Sequence, residues 1–193
     1  MGFLTGLREY LEAHYEQSHF GEIRHSGEPH FFRIHEVGGV TGEVMEDRTY
    51  EVLVRKDSGE EETIHKTSIQ YFFPAEHREK IQKLVKKDSK VEALGLEPII
   101  PARPRHHIKN KTLFPLMDEK TVVFFTMLEG DVLRGIISGF NRYEILLLLK
   151  GGLPVTLLRH AVYDLRDKKG RCYLKSTQET LRDWHKSALY VSE

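Results

Sequence analysis

The sequence has few of the features that assign a protein quickly to a class. It contains a single cysteine, Cys172, so no disulfide can form within the chain, and a reducing compartment is favoured. The longest apolar run, residues 145–149, is far shorter than a membrane span. The N-terminal segment lacks the basic region of a signal peptide. We therefore predict a cytoplasmic protein that has no membrane partner.

Charge of one sign is also lacking. Lys and Arg number 29 together, as do Asp and Glu, which gives a net charge of zero. This balance counts against a protein that coats nucleic acid non-specifically, although a local basic patch remains possible. The sequence contains no glycine-rich phosphate loop and no nucleophile–base pattern, and its 11 histidines do not have the spacing of a zinc site. We predict that the protein is not an enzyme and has no cofactor or metal.

What the sequence does contain is an internal repeat. Residues 30–69 and 123–162 align without a gap when the chain is shifted by 93 positions. Unrelated segments of this length would share roughly two or three identities. The identical pairs are Phe31/Phe124, Phe32/Phe125, Glu36/Glu129, Gly42/Gly135, Tyr50/Tyr143, Glu51/Glu144, Leu53/Leu146, Gly59/Gly152 and Thr63/Thr156. The repeat predicts two copies of one structural unit.

Each copy is predicted to contain five short strands. Val, Thr and Tyr are frequent in these segments, and turns such as Asp57-Ser58-Gly59 separate them. Gly135 and Gly139 lie in or beside a strand, where a missing side chain permits sharp bending. Helical spacing of apolar residues predicts helices over about 3–17, 75–95, 112–119 and 177–190. Pro98, Pro101 and Pro104 predict an extended linker.

These patterns predict a mostly β protein with added helices, built from two five-stranded small barrels that each follow a helix. We expect residues 1–74 to form the N-terminal helix and first barrel, and residues 75–108 to form a helix and linker. We expect residues 109–167 to form the second barrel and residues 168–193 to form a helical tail.

The second repeat resembles the Sm-like RNA chaperone Hfq family. The resemblance covers about fifty residues and rests on three segments: Leu133-Arg134-Gly135-Ile136-Ile137, Phe140-Asn141-Arg142-Tyr143 and Leu158-Arg159-His160-Ala161-Val162. It reaches the first repeat through the internal duplication. It implies Sm-like, SH3-type barrels that assemble into rings of six modules and bind single-stranded, uridine-rich RNA, acting as an RNA chaperone or a post-transcriptional regulator.

The resemblance also implies roles for individual residues. Tyr143 would stack on a base, Arg159 would supply the basic contact, and His160 would contact the base edge. Asn110 would lie near the same pocket. In the first repeat, Tyr50 and Lys66 occupy the positions of Tyr143 and Arg159.

Two alternatives remain open. The tyrosines could be core or interface aromatics, and His160 could be buried at a subunit contact. The whole chain could then be an oligomeric protein-interaction scaffold with a decayed RNA site. With two modules per chain, the six-module ring that the resemblance implies would be closed by three chains. A ring of six chains through their second modules, or a monomer or dimer whose sheet edges are capped by the added helices, is also open.

Overall fold

The computed structural model describes residues 4–100 and 107–174 of the chain. Helices precede each repeat and also lie between the repeats. Their bounds are Leu7–His14 (α1), His19–Ser26 (α2), Arg78–Leu84 (α3), Ser89–Glu92 (α4) and Asn110–Asp118 (α5). The predicted C-terminal helix, residues 177–190, lies outside the described residues, as does much of the proline-rich linker.

The described chain is mostly antiparallel β-sheet, as the sequence predicted. The first repeat contains β1 (His30–Ile34), β2 (Gly38–Asp47), β3 (Glu51–Lys56), β4 (Glu61–His65) and β5 (Ile69–Pro74). The short β6 (Lys86–Lys87) lies between the repeats. The second repeat contains β7 (Val122–Met127), β8 (Asp131–Phe140), β9 (Glu144–Leu149), β10 (Pro154–Leu158) and β11 (Val162–Asp167).

The two repeats have the same strand order, in which the fifth strand precedes the first, second, third and fourth. A shift of 93 residues superimposes the bounds of β2–β5 on those of β8–β11. Irregularities repeat as well, because the register slips between Val44 and Glu46 in one copy and between Ile137 and Gly139 in the other. The gapless alignment of the sequence therefore corresponds to one structural unit present twice.

The predicted arrangement of two separate barrels is not confirmed. The strands of the two repeats form one sheet that is not closed and runs in the order β11-β7-β8-β9-β10-β5-β1-β2-β3-β4. The junction is an antiparallel pairing of β10 with β5, in which Thr156 lies opposite Phe72 and Leu157 opposite Tyr71. A single hydrophobic cluster also runs through both repeats. Sequence periodicity could not predict this junction, because it joins segments that are far apart in the chain.

A network of charged side chains crosses the junction. Arg33 of β1 donates to Glu129 at 2.9 Å and to Asp131 at 3.1 Å, both from the β7–β8 hairpin. The Tyr71 hydroxyl donates to the same Asp131 carboxylate at 3.0 Å. Burial and this carboxylate raise the pKa of Tyr71 above its ordinary value. Removing one member weakens the compensation of the buried Asp131 carboxylate, so the network stabilises this way of joining the two repeats.

Two helical predictions need correction. The first helix ends at His14 rather than near residue 17, and a second helix, α2, which the sequence did not predict, runs through Gly21. Burial of Phe20 and Ile23 outweighs the low helical preference of glycine there. The predicted helix over 75–95 is interrupted by β6, whose Lys86 and Lys87 pair with β8. The chain becomes helical again only at α4.

Two glycines, Gly42 in β2 and Gly135 in β8, lie where the structure has no room for a side chain. A Cβ on Gly135 would overlap the carbonyl oxygen of Leu148, and one on Gly42 would overlap that of Arg55. At Gly139, the nearest atom to a Cβ would be the Tyr10 hydroxyl oxygen at 3.5 Å, an ordinary contact. Of these three glycines, only Gly42 and Gly135 are therefore required by close packing.

Gly135→Ala should lower the free energy of unfolding by about 1–3 kcal/mol, because an added methyl group in a packed interior forces neighbours to shift. Gly139→Ala is the matched control on the same strand and should change stability much less. Denaturant titration of both variants measures the difference. Equal effects would show that the close approach at Gly135 does not constrain the strand.

Candidate nucleic-acid interface

A cleft of about 470 Å³ lies where the two repeats meet. Its walls come from the α1–α2 connection, from the β2–β3 turn of the first repeat and from the β8–β9 turn of the second. The structure brings five of the six predicted site residues together here. They are Tyr50, Lys66, Tyr143, Arg159 and His160. The sixth, Asn110, does not line the cleft but accepts a hydrogen bond from Arg159 at 2.8 Å.

Two tyrosines present their side chains to solvent at this cleft. Tyr50 is 71% exposed and Tyr143 is 52% exposed, which is unusual for large aromatic residues. Equivalent backbone bonds position them, because the N–H of Lys66 donates to the carbonyl of Tyr50 at 2.9 Å and that of Arg159 to the carbonyl of Tyr143 at 2.8 Å. Each tyrosine immediately precedes the third strand of its repeat, and its backbone is held by the turn that follows the fourth strand of that repeat.

Asn141 fixes the turn that carries Tyr143. Its side-chain oxygen accepts from the N–H of Tyr143 at 2.8 Å and from that of Glu144 at 2.7 Å. Its amide nitrogen donates to the Glu144 carboxylate. An asparagine that bonds the backbone two residues further on stabilises a turn, and this one fixes the backbone of Tyr143 at the cleft.

Arg159 lies inside the wall of the cleft rather than on its surface. It is 3% exposed and donates to the carbonyls of Ile108 and Asn141 in addition to Asn110. Burial lowers the pKa of this guanidinium to about 10. These bonds join the start of α5 to the end of β8. Arg159, the predicted basic contact, therefore supports the fold, because its guanidinium group is bonded to protein groups.

Lys66 is similarly engaged by the protein. Its ammonium group lies 2.6 Å from the Asp47 carboxylate and 5.1 Å from the centre of the Phe20 ring. His160 lines the cleft but is buried. Of the predicted residues, the two tyrosines are consequently the ones best placed to meet a ligand.

The structure adds two cations that the sequence analysis missed. Arg48 and Arg142 both line the cleft and are about half exposed. Arg48 lies 2.7 Å from Glu46, and Arg142 lies 3.8 Å from Glu16. Exposed ion pairs of this kind contribute little, so either guanidinium can turn toward a phosphate. The signal in the sequence was their position, immediately before Tyr143 or two residues before Tyr50.

The cleft is close to electrically balanced. Its lining contains the cations Arg48, Lys66, Arg142 and Arg159 and the carboxylates Glu16, Asp47 and Glu144. A ligand that depends on strong electrostatic attraction does not fit such a surface. A ligand that stacks on exposed aromatic rings fits it better.

Helix α1 precedes the first repeat but packs against the second. The Tyr10 hydroxyl donates to the carbonyl of Phe140 at 2.9 Å and accepts from its N–H at 2.7 Å. The N–H of Arg142 donates to the carbonyl of Tyr15 at 3.0 Å. The α1–α2 connection therefore spans the junction and forms one wall of the cleft.

Glu144 fastens the same connection to the second repeat. Its buried carboxylate accepts from the N–H of His19 at 3.0 Å. Burial raises the pKa of Glu144 above 4.5, and the bonds from His19 and Asn141 oppose that shift. The equivalent Glu51 of the first repeat is more exposed and lies near Arg48.

A small group of possible metal ligands lies apart from the cleft. Within residues 4–100 and 107–174, ligand atoms of His35, Glu36 and Glu97 lie within 4.8 Å of one another. The two glutamates are exposed, and such groups are common without a metal. In the same part of the chain, no helix has the length and apolar character needed to cross a membrane.

Comparisons with known proteins add no family assignment. No protein-family model matches the chain, and no curated protein matches it with significant sequence similarity. The interpretation of the cleft therefore rests on its own geometry and on the resemblance of the second repeat.

Arg159→Gln should lower the free energy of unfolding by roughly 2–4 kcal/mol, because the carbonyls of Ile108 and Asn141 would lose their donor. Arg142→Gln is the matched control, an exposed arginine in the same cleft whose loss should cost little. Denaturant unfolding of both variants compares them. Similar stabilities for the two would show that the buried arginine does not support the fold.

Glu144 should make the stability depend on pH. Because the pKa of Glu144 is raised in the folded state, its protonated form contributes to the free energy of unfolding. This contribution is fully present below a pH of about 4.5 and is lost as the pH rises through the folded pKa. The stability of Glu144→Gln relative to wild type should therefore increase over this range. Glu16→Gln, which changes an exposed carboxylate, should not show the trend. Unfolding from pH 4.5 to 8 measures it, and parallel profiles for wild type and Glu144→Gln would contradict the assignment.

Proposed function

We propose that this chain is a tandem Sm-like protein that binds short single-stranded, uridine-rich RNA in the cleft between its repeats. The observation that carries the proposal is the convergence of Tyr50 and Tyr143 on one cleft, both exposed and both at the same position of their repeat. An isolated exposed tyrosine would need no explanation. A repeat-related pair that shares one cleft is the arrangement expected for stacking two bases.

Stacking on aromatic side chains contributes about 1–3 kcal/mol per base. Two stacked bases would then supply about 2–6 kcal/mol, and a free energy of 4.1 kcal/mol corresponds to a dissociation constant of only 1 mM. One cleft is therefore a weak site by itself. Several clefts in one assembly would bind a continuous RNA strand far more tightly through multivalency. This requirement is consistent with the proposed ring of three chains.

The phosphates would be met by Arg48 and Arg142 rather than by Arg159 and Lys66. Arg142 lies with its guanidinium 5.4 Å from the centre of the Tyr143 ring, so a base on the tyrosine and a phosphate on the arginine can be adjacent. Two phosphate contacts predict a shallow salt dependence, with a slope of about −1.4 for single-stranded RNA. The resemblance assigns the base edge to His160 and the preference for uridine to the pocket as a whole.

A protein-interaction scaffold is the second candidate function. Two observations favour it, namely that Arg159 and Lys66 are occupied by protein groups and that β4 ends the sheet among the described strands. On this view the cleft has lost its ligand and the sheet edges are the functional surfaces. Measurement of RNA binding separates the two candidates.

Tyr50→Ala and Tyr143→Ala should each weaken binding of a labelled oligouridine by about 5- to 150-fold, the equivalent of 1–3 kcal/mol. Tyr50→Phe and Tyr143→Phe keep an aromatic face and are the matched controls, which should bind nearly as wild type does. Fluorescence anisotropy at two salt concentrations measures both affinity and slope.

An oligoadenosine of the same length tests the preference for uridine. Unchanged affinity in both alanine variants would place the RNA site elsewhere. Absence of oligouridine binding to the wild-type chain at millimolar RNA would favour the scaffold.

A further inference from the structure

The junction between the repeats defines how one module pairs with the next. The fourth strand of the second repeat pairs with the fifth strand of the first, and Thr156 lies opposite Phe72. Because both repeats have the same strand order, the same pairing rule applies to the two ends of the sheet. Its free fourth strand is β4, and its outer fifth strand is β11.

The β4 edge has the features that β10 uses at the junction. Thr63 stands in the position of Thr156, and Ile64 in that of Leu157. In β4, the backbone bonds between Lys56 and Glu60 and between Lys66 and Tyr50 fix which residues face β3. The alternation of a strand then directs the backbone N–H and C=O of Thr63 outward. Within the described chain β4 is the last strand at this end of the sheet.

The corresponding edge of β11 is already covered by the chain itself. Residues 171–174, here called the edge clasp, fold back on β11 through a turn. The N–H of Tyr173 donates to the carbonyl of Leu165 at 2.9 Å, and the N–H of Asp167 donates to that of Arg171 at 3.2 Å. Leu165 is the residue equivalent to Phe72, so the edge clasp occupies the position that β10 occupies at the junction.

Specific contacts hold the edge clasp in place. Leu174 is buried in the hydrophobic cluster, and its N–H donates to the Cys172 sulfur at 3.3 Å. The Tyr173 hydroxyl donates to Asp167 at 3.4 Å. The first repeat is different at this point, because Pro74 ends β5 and the chain turns into a short 3-10 helix. This divergence leaves β5 open to β10 and closes β11.

We propose that the edge clasp and β4 of a second copy of this chain compete for the same edge of β11. The carbonyl of Leu165 can face only one added strand. With the edge clasp docked, the chain remains an open single unit. With the edge clasp displaced, Thr63 of a second copy pairs at Leu165 as Thr156 pairs with Phe72, and three chains close a ring.

Leu174→Asp in the full-length chain tests the proposal, because a buried carboxylate at this position disfavours docking. Light scattering should show the mass rising from 22.5 kDa toward three times that value. Thr63→Pro is then combined with Leu174→Asp. Proline at position 63 removes the outward N–H without breaking a bond to β3, and edge strands tolerate proline at such a position. The double variant should return to the mass of a single chain. Thr63→Val keeps the N–H and is the matched control, which should leave the assembly intact.

Cys172 reports independently whether the edge clasp is docked, because it is the only cysteine. In the docked state it is partly buried, and burial next to Asp164 raises the pKa of its thiol to about 11. Release should accelerate labelling by a thiol reagent by tenfold or more. Tyr173→Pro, which lacks the donor to Leu165, is a second way to release the segment if Leu174→Asp does not fold.

Three results would overturn the proposal. One is rapid labelling of a folded release variant that keeps the mass of a single chain. Another is a wild-type ring in which Cys172 remains slow to label, since the edge of β11 would then not be the site of closure. The third is labelling of both Leu174→Asp and Tyr173→Pro at the wild-type rate. This result would show that the contacts of Leu174 and Tyr173 do not hold the edge clasp on β11.

Discussion

The pairing of β10 with β5 is the interaction on which the rest of the structure depends. It converts two copies of one unit into a continuous sheet, and the bonds of Arg33 and Tyr71 to Asp131 fix its geometry. The candidate cleft exists only because this pairing brings Tyr50 and Tyr143 to the same surface. Loss of Arg33 would remove the cation that bonds both Glu129 and Asp131, so the cleft and the stability of the junction are coupled.

The two repeats share one backbone arrangement, but equivalent side chains make different contacts in them. The same turn holds Tyr50 and Tyr143, yet the cations that follow the fourth strands differ in their partners. Lys66 pairs with Asp47, whereas Arg159 joins backbone carbonyls inside the second repeat. A duplicated unit tolerates such divergence because its turns and its closely packed glycines are the same in both copies. The tyrosines are exposed at both positions, where core packing gives no reason to retain them.

Sequence reasoning located the strands well, because strand signals are local. Gly42 and Gly135 marked the positions where the neighbouring strand lies closest, and the repeat gave two independent readings of each strand. It failed where contacts between segments that are distant in the chain determine the structure. Phe20 makes α2 helical through burial, and α1 crosses to the second repeat through a bond between Tyr10 and Phe140. The burial of Arg159 was equally hidden, since an arginine in a motif gives no sign of whether its partners are phosphates or carbonyls.

The two ends of the sheet connect assembly to ligand binding. Each junction between a fourth and a fifth strand brings one tyrosine from each participating module to the same surface, as Tyr50 and Tyr143 show within the chain. A single chain has one such junction. A closed ring of three chains would have six, and only those within a chain would include the α1–α2 connection as a wall. The edge clasp would then control how many stacking sites a continuous strand encounters, which matters because each site is weak by itself. Binding of a long RNA across several clefts would in turn favour the released edge clasp, since a ligand that prefers one state shifts the equilibrium toward it.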